Sequence, residues 1–345
     1  MGIDNESLGF LKELIEAISP SGFEEDAVKV WRERTGKFCS QVTIDTTGNA
    51  IAKLENKGPK VMLAGHIDEI GLMVKYIDKE GFIYFSPIGG IDPYILQGQR
   101  VWLRGKKGKV LGVIGKKPIH LIEEEEKNKR LKFEEMWIDV GLDSEDKVKE
   151  IIDIGTVGVV GVGFEKLGEV AVGRGFDDKA GAFVVSEVMK ILSGHRPAAT
   201  VYGVATVQEE VGLRGARVSS YGITPDYALA IDVTFTSDTP SLDKRKIGKI
   251  DLGKGPVLAW GPNINKELFG LLKQTAEEDN IPYQIEAIPR PTGTDANVMQ
   301  MTKSGVATAL VSIPNRYMHT PVEIISLEDL VNAAQLISKF IYKLS

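Results

Sequence analysis

Four short apolar segments in this chain are each followed by a histidine or an acidic side chain. The segments and the polar residues after them are 60–65 with His66, 200–206 with Glu209 and Glu210, 227–231 with Asp232, and 308–313 with His319. Short apolar runs of this kind predict strands in a sheet that is covered on both faces. Open α/β sheets bind their ligands beyond the carboxyl ends of such strands. We therefore predict an α/β fold in which these side chains meet at one edge of the sheet.

A fifth polar motif is the pair Asp177 and Asp178, within the segment Val-Gly-Arg-Gly-Phe-Asp-Asp-Lys-Ala-Gly at residues 172–181. The pair follows a predicted strand at 170–172 after a short loop, and it opens a predicted helix. A carboxylate has two oxygens with several lone pairs, so Asp177 is suited to contact two cations at once. Asp178 is also explained as an acidic residue at a helix N-terminus, where the helix dipole favours negative charge.

Residues 72–165 have a different pattern from the rest of the chain. The predicted strands there are short and separated by glycines, and long helical patterns are absent apart from residues 144–152. This pattern predicts a small β barrel or sandwich inserted into the α/β chain. The predicted organisation is a first α/β part at 1–71, the inserted β domain at 72–165 and a second α/β part at 166–345. The charged run at 123–132 is most simply a solvated loop or arm.

Helix signals are clearest near the two ends of the chain. Apolar residues recur at helical spacing over 6–18, and a last helix is predicted over 327–342. Ser21 and Glu24 match a capping box, which predicts the start of a second helix that ends near residue 35. Thr294 is predicted to cap a helix over 295–301.

The composition excludes several classes of partner. The net charge of −6 gives no basic footprint for nucleic acid. No apolar run reaches the roughly 18 residues of a membrane helix, and the start of the chain lacks a secretory pattern. Cys39 is the only cysteine, so no internal disulfide can form and a cytoplasmic location is predicted. A packing role is expected for Cys39, because it lies between a predicted helix and a predicted strand.

The residue types in the motifs indicate a site for metal ions. Imidazole and carboxylate ligands suit zinc, cobalt or manganese, and the motifs contain no thiolate for a structural zinc site. Two metal ions about 3.5–4 Å apart can acidify a water and polarise a scissile carbonyl. The neighbours Glu209 and Glu210 allow one carboxylate to bind metal and the other to move the water's proton. Asp68, two residues beyond His66, is placed to fix the tautomer of that imidazole.

Taken together, the motifs resemble the M42 family of metallo-aminopeptidases, which includes the tetrahedral (TET) aminopeptidases and some members labelled endoglucanase. The segments that carry the resemblance are Gly-His-Ile-Asp-Glu-Ile-Gly-Leu-Met-Val at 65–74, Phe-Asp-Asp-Lys-Ala-Gly at 176–181, Gln-Glu-Glu-Val-Gly-Leu-Arg-Gly-Ala at 208–216, Asp-Val-Thr at 232–234, Thr-Gly-Thr-Asp-Ala at 292–296 and Arg-Tyr-Met-His-Thr-Pro-Val-Glu at 316–323. The resemblance runs the length of the chain. It implies an aminopeptidase-like α/β/α catalytic domain, an inserted PDZ-like domain used for assembly, and a dodecamer built from dimers.

The resemblance also implies an activity and roles for individual residues. The activity is removal of N-terminal residues from short peptides with two divalent ions, zinc or cobalt first and manganese as a further option. The implied ligands are His66, Asp177 and Asp232 for one ion, and Asp177, Glu210 and His319 for the other. Asp177 would bridge the ions, Glu209 would be the general base and acid, and Asp68 would orient His66. In such sites the peptide bond between the paired aspartates, here Asp177 and Asp178, is often cis.

Three other functions compete with the aminopeptidase. A metal-dependent N-acyl amidohydrolase would use the same site but would cleave acylated substrates. A glycoside hydrolase would need two carboxylates beside a sugar bond and no metal, which His66 and His319 argue against. A non-catalytic assembly protein is disfavoured by the complete set of metal ligands. The preferred N-terminal residue of the substrate depends on the shape of the pocket, so the spacing of the motifs leaves it open.

Overall fold

A computed structural model describes residues 2–123, 129–240 and 242–344 of the chain. The centre of the charged run, at 124–128, lies outside the described residues, so its predicted role as a loop or arm stays a prediction. The described elements form one large mixed sheet with helices on both faces, and one small closed barrel. In the described part of the chain, no helix combines the length and apolar character that crossing a membrane requires.

The predicted helices near both ends of the chain are present. The helices are α1 Asn5–Glu16, α2 Glu25–Thr35, α3 Glu145–Lys149, α4 Phe176–Gly194, α5 Arg214–Ile223, α6 Lys244–Ile247, α7 Lys266–Glu278, α8 Ala296–Met299 and α9 Leu327–Tyr342. The strands are β1 Gln41–Ile44, β2 Ala50–Leu54, β3 Lys60–His66, β4 Gly71–Ile77, β5 Ile83–Ile88, β6 Arg100–Gly105, β7 Gly108–Lys116, β8 Met136–Asp139, β9 Val157–Val160, β10 Glu165–Leu167, β11 Val170–Gly173, β12 Thr200–Thr206, β13 Tyr227–Phe235, β14 Val257–Trp260, β15 Gln284–Ala287, β16 Ala307–Arg316 and β17 Glu323–Ser326.

The centre of the large sheet is parallel. The strand order is β1-β2-β12-β3-β13-β16-β17-β11-β10, with β14 paired to β16 and β15 paired to β14. Strands β12, β3, β13 and β16 run in the same direction. The register places Thr206 beside His66 and Ser312 beside Asp232. The carboxyl ends of the central strands therefore meet at one edge of the sheet, as the apolar segments predict.

Both faces of the sheet are covered because side chains along a buried strand alternate between two apolar layers. Val61 and Leu63 of β3 belong to the hydrophobic cluster under α1, α2, α4 and α9. Met62 and Ala64 belong to the cluster under α5 and α8. Full burial of one such side chain is worth about 1.5–3 kcal/mol. This two-sided burial explains why the β3 segment is uniformly apolar.

The helix that carries Asp177 lies unusually close to the central strand. A Cβ atom added at Gly65 in β3 would lie 2.4 Å from the backbone carbon of Gly181 in α4. Only glycine permits this approach of two backbones. The first turns of α4 are thereby brought against the end of β3, beside His66.

The inserted region forms the small barrel. Strands β4, β5, β8, β7, β6 and β9 pair in this order into a closed sheet. Its interior is a separate cluster of buried apolar side chains, among them Leu72, Val101 and Ile138. The helix expected over 144–152 is the shorter α3. The domain boundaries at residues 72 and 165 remain predictions.

Two predicted helix caps are wrong. No side chain caps the N-terminus of α2, because Ser21 donates its hydroxyl to Asp68 and Glu24 accepts backbone N–H groups of Gly22 and Gln208. Both side chains are therefore engaged by tertiary partners. At α8 the residue before the helix is Asp295 rather than Thr294, and it forms no capping hydrogen bond either.

Cys39 is buried in the main apolar cluster. Burial raises the pKa of its thiol to about 11, which keeps the thiol protonated near neutral pH. The expected packing role of Cys39 agrees with this environment.

Candidate metal centre

Asp177 lies between two histidines that come from distant parts of the chain. Its Oδ1 is 3.1 Å from Nε2 of His66, and its Oδ2 is 3.0 Å from Nε2 of His319. His66 ends β3, whereas His319 lies in the loop between β16 and β17. Asp177 occurs where the start of α4 departs from helical geometry, and the Asp177–Asp178 peptide bond is cis, as the resemblance implies. One carboxylate therefore faces both imidazoles.

The candidate ligand atoms form two neighbouring groups. One group consists of Asp177, Glu210 and His319, and the other of His66, Asp178 and Asp232; within each group these atoms lie within 4.8 Å of one another. The first group is a set that the resemblance implies. In the second group, Asp178 stands where the resemblance places Asp177.

Asp178 is held by the backbone on both of its oxygens. Its Oδ2 accepts the N–H of His66 at 3.1 Å, and its Oδ1 accepts the N–H of Gly181 at 2.9 Å. These hydrogen bonds tie the start of α4 to the end of β3. Asp178 therefore connects α4 to β3, which is a more specific role than the favourable interaction with the helix dipole that the sequence suggests.

Asp232 and Glu209 approach His66 from the two strands that flank β3. Strand β13 continues to Phe235, so Asp232 lies inside the strand instead of just beyond the predicted end at residue 231. Glu209 follows β12, and its Oε2 is 3.8 Å from Nε2 of His66. Both carboxylates are almost fully buried.

Asp68 contacts the segment that carries the two glutamates. Its carboxylate accepts the backbone N–H of Glu209 at 3.0 Å and that of Glu210 at 3.1 Å, and Ser21 Oγ donates to it at 2.5 Å. The Nδ1 atom of His66 is 3.1 Å from the backbone oxygen of Asp68 and 3.5 Å from its Oδ1. Asp68 therefore contacts both His66 and the segment that carries the two glutamates.

His319 is oriented by groups on either side of its ring. Its Nδ1 is 2.9 Å from the carbonyl oxygen of Gly90, and this contact favours the tautomer that directs Nε2 into the site. Its backbone has a φ of 61°, in the left-handed region that non-glycine residues rarely adopt. Nε2 also lies 3.2 Å from Oε1 of Glu210.

The sequence analysis missed two buried carboxylates. Glu323 accepts the backbone N–H of Asp177 with one oxygen and that of His319 with the other, both at 2.9 Å. Asp295 accepts the hydroxyl of Thr206 at 2.5 Å, and within the described residues its Oδ1 is buried without a hydrogen-bond partner. Both belong to segments that carry the family resemblance. Their place in those segments was the one feature of the sequence that could have identified them as part of the site.

The electrostatics of the site reflect crowded carboxylates. Burial raises the pKa of Glu209 to about 10 and that of Asp232 to about 8. Burial also acts to raise the pKa of Asp177, but hydrogen bonds from His319 and His66 hold it well below its usual range. The hydrogen bonds that His319 donates to Asp177 and Glu210 raise the pKa of its imidazole to about 11. The protein thus concentrates buried carboxyl groups around two imidazoles.

The donor set fits divalent transition-metal ions. Buried carboxylates are ordinarily paired with cations, yet in the described chain no lysine or arginine forms an ion pair with the carboxylates of this site. The nearest buried lysine, Lys179, pairs instead with Glu69 at 2.6 Å. Imidazole and carboxylate groups that converge without such a partner are typical ligands of zinc, cobalt and manganese.

The centre opens into a cleft of about 450 Å³. His66, Asp177 and Asp232 line one part of it, and β15 with the segment that follows it lines another. A cleft of this size with polar groups at one end is typical of sites for small ligands.

Comparison with known proteins identifies the family. The family model described as M42 glutamyl aminopeptidase matches residues 48–336. This chain belongs to the M42 aminopeptidase family. A lysyl aminopeptidase from Pyrococcus furiosus is 41% identical over 330 residues, which are 94% of this chain and 94% of the relative. As a member of this family of aminopeptidases, the protein is a peptide-bond hydrolase.

Solved structures of M42 relatives share the whole fold. The TET aminopeptidase from the marine sediment archaeon Thaumarchaeota archaeon SCGC AB-539-E09 has a TM-score of 0.94 at 34% identity, over 99% of this chain and 97% of that chain. The Pyrococcus horikoshii TET1 peptidase, which assembles into a tetrahedron or a large octahedral shell, has a TM-score of 0.88 at 31% identity, over 98% of this chain and 100% of that chain. The mixed α/β fold is therefore that of the TET aminopeptidases.

Proposed function

We propose that this protein is a two-metal aminopeptidase that removes N-terminal residues from short peptides. The observation that supports this most strongly is the Asp177 carboxylate, with one oxygen beside Nε2 of each histidine at an open cleft. A carboxylate in this arrangement is suited to bridge two divalent ions.

The proposed ligands follow from the two groups of donor atoms. They are His66, Asp177 and Asp232 for one ion, and Asp177, Glu210 and His319 for the other. We assign Asp178 to positioning, because both of its oxygens accept backbone N–H groups. Zinc or cobalt suits these ligands most simply, and manganese suits them as well. When bound, the two ions would acidify a water molecule and polarise the carbonyl of the scissile peptide bond.

Glu209 would move the proton. Its carboxylate lies beside His66 and its backbone is fixed by Asp68, so it is held at the edge of the site without being needed as a ligand. The water oxygen bonds to the carbonyl carbon and the C–N bond breaks, while Glu209 takes the water's proton and delivers it to the leaving amine nitrogen. Glu210 instead faces His319, which supports the division between base and ligand.

Hydrolysis of free aminoacyl-anilides before and after chelation tests the proposal. We expect activity to disappear with the metal and to return when zinc, cobalt or manganese is added. The Glu209→Gln variant should keep its metal content but lose about 10²- to 10⁴-fold in kcat. Metal content measured by mass spectrometry separates this result from simple loss of the ions.

N-acylated peptides distinguish the competing deacylase. A metal-loaded enzyme that cleaves only the acylated members of a matched peptide panel would contradict the aminopeptidase proposal. Full activity on cellulose after chelation would favour the glycoside hydrolase instead.

We further propose that the barrel is a PDZ-like assembly domain and that the protein forms a dodecamer built from dimers in the cytoplasm. The TET1 relative assembles into closed shells, and the barrel carries exposed apolar side chains, including Tyr76, Ile119 and Leu121. Such side chains are common at subunit interfaces, and the single cysteine suits a reducing compartment. Sedimentation analysis tests the assembly: a particle of the mass of one chain would contradict it.

A further inference from the structure

Glu286 is a half-buried carboxylate in the same cleft as the metal centre, and the roles proposed above do not use it. It lies in β15, and Ile288 and Arg290, which follow the end of that strand, line the same cleft. The residues on either side of Glu286, Ile285 and Ala287, are exposed, as expected from the alternation of side chains along a strand. The strand therefore directs Glu286 into the cleft.

The position of the carboxylate is fixed by a residue close to the metal centre. Thr234 donates its hydroxyl to Oε2 of Glu286 at 2.8 Å. Thr234 and Asp232 are two residues apart in β13 and line the same cleft, so their Cα atoms are about 6.5–7 Å apart. The hydrogen bond thus ties Glu286 to the strand that carries a proposed metal ligand.

In the part of the chain that the structure describes, Glu286 forms no ion pair, and Thr234 is its hydrogen-bond partner. Burial raises its pKa, because the charged form has lost solvation. A positive group placed beside the carboxylate would restore the charged form and satisfy its free oxygen.

Part of the cleft wall is apolar. Leu310, Met318 and Ile288 line the cleft together with the polar groups. Lysine and arginine side chains pair a long apolar stem with a charged end. A stem along these residues would bring its charged end to Glu286, whereas a short side chain would leave that carboxylate unpaired.

We propose that Glu286 determines specificity and selects peptides whose N-terminal residue has a cationic side chain, lysine or arginine. The inference rests on the aminopeptidase function proposed above and names its substrate class. Arg290 lines the same cleft and would favour an acidic residue instead, but it is exposed at the cleft rim and no hydrogen bond of the described chain fixes it. Glu286 is both fixed and withdrawn from solvent.

The test measures kcat/KM of the metal-loaded enzyme on lysyl-, arginyl-, leucyl- and glutamyl-anilides. We expect the lysyl and arginyl substrates to be preferred. In Glu286→Gln, an isosteric change that retains an acceptor for Thr234, the lysyl-to-leucyl ratio should fall about 10- to 100-fold. Glu286→Asp, which keeps the charge, should retain most of the preference. Glu267→Gln, an exposed change in α7 outside the cleft, should leave the ratio as in the parent enzyme.

Four results would overturn the proposal. One is a parent enzyme that prefers leucyl or glutamyl substrates, which would leave the aminopeptidase function intact. Another is a Glu286→Gln variant that loses the same factor on every substrate. A loss of the preference only in Arg290→Gln would assign specificity to that residue instead. Failure to cleave any free-amine substrate with metal bound would overturn the aminopeptidase proposal as well.

Discussion

The carboxylate of Asp68 accepts a hydrogen bond from the backbone N–H of Glu209, at 3.0 Å. The same carboxylate accepts the N–H of Glu210 and the hydroxyl of Ser21. One buried side chain thus fixes the backbone of both glutamates at the end of β12, while its own backbone oxygen contacts His66. The two adjacent glutamates can point in different directions because their backbone is held in this way.

Replacement of Asp68 by asparagine should therefore impair catalysis more than metal binding. The asparagine NH2 group would face a backbone N–H donor, so one hydrogen bond to the glutamate segment is lost and two donors are opposed. We expect kcat to fall about 10- to 100-fold. Parallel measurement of kcat and bound metal tests this, with Ser21→Ala as a milder control that removes only the hydroxyl donor. An unchanged kcat would rule out the positioning role.

Replacement of Glu323 by glutamine should weaken metal binding. Glu323 accepts the backbone N–H groups of Asp177 and His319, and a glutamine can accept only one of them. We expect metal affinity to fall about 10- to 100-fold, as for other groups that orient metal ligands. Competition with a chelator measures this affinity. Glu328→Gln, an exposed change in α9, is the control, and an equal loss in both variants would contradict the prediction.

Replacement of Gly65 by alanine should destabilise the fold and disturb the site. The new Cβ atom would meet the backbone of Gly181 at 2.4–2.8 Å, so α4 must move away from β3. We expect a cost of about 1–3 kcal/mol or more in the free energy of unfolding. Gly270→Ala in α7, where no atom lies within 4 Å of the added Cβ, should instead stabilise by about 0.5–1 kcal/mol. Urea unfolding of both variants makes the comparison.

The pair of Asp238 and Arg316 should make stability depend on acid pH. Burial acts to raise the pKa of Asp238, but hydrogen bonds from Arg316 and the N–H of Leu252 lower it to about 2, against 3.8 for the free side chain. A lowered folded-state pKa stabilises the fold above the unfolded-state pKa and ceases to do so as pH falls toward the folded-state value. The stabilisation should therefore be complete at neutral pH and lost between about pH 5 and pH 2.

Asp238→Asn tests this dependence. The variant should be less stable than the parent by about 1 kcal/mol at pH 7, a value discounted for partial exposure of the pair, and the difference should shrink as pH falls. Unfolding midpoints at several pH values give the comparison. Asp143→Asn, which removes an exposed ion pair with Lys147, should have little effect. A cost of Asp238→Asn that does not change with pH would refute the prediction.

The class of fold and the types of donor atom at the candidate site could be predicted from the sequence. Runs such as that of β3 are uniformly apolar because both faces are buried, and this local pattern survives in any arrangement of the chain. Histidine and carboxylate side chains at strand ends indicate metal ligands through their donor atoms alone. The family motifs add the order in which those ligands occur.

The groups that position the candidate ligands could not be predicted from the sequence, because they come from distant segments of the chain. Ser21 and Glu24 match a capping box, but a cap is a local interaction, and tertiary hydrogen bonds to Asp68 and Gln208 replace it. Glu323 contacts Asp177 across a separation of 146 residues, which no local pattern records. The carboxylate of Glu286 is likewise positioned by a hydrogen bond from Thr234, which lies in another strand. Contacts between distant segments depend on how the chain packs, because they involve side-chain directions that residue spacing does not specify.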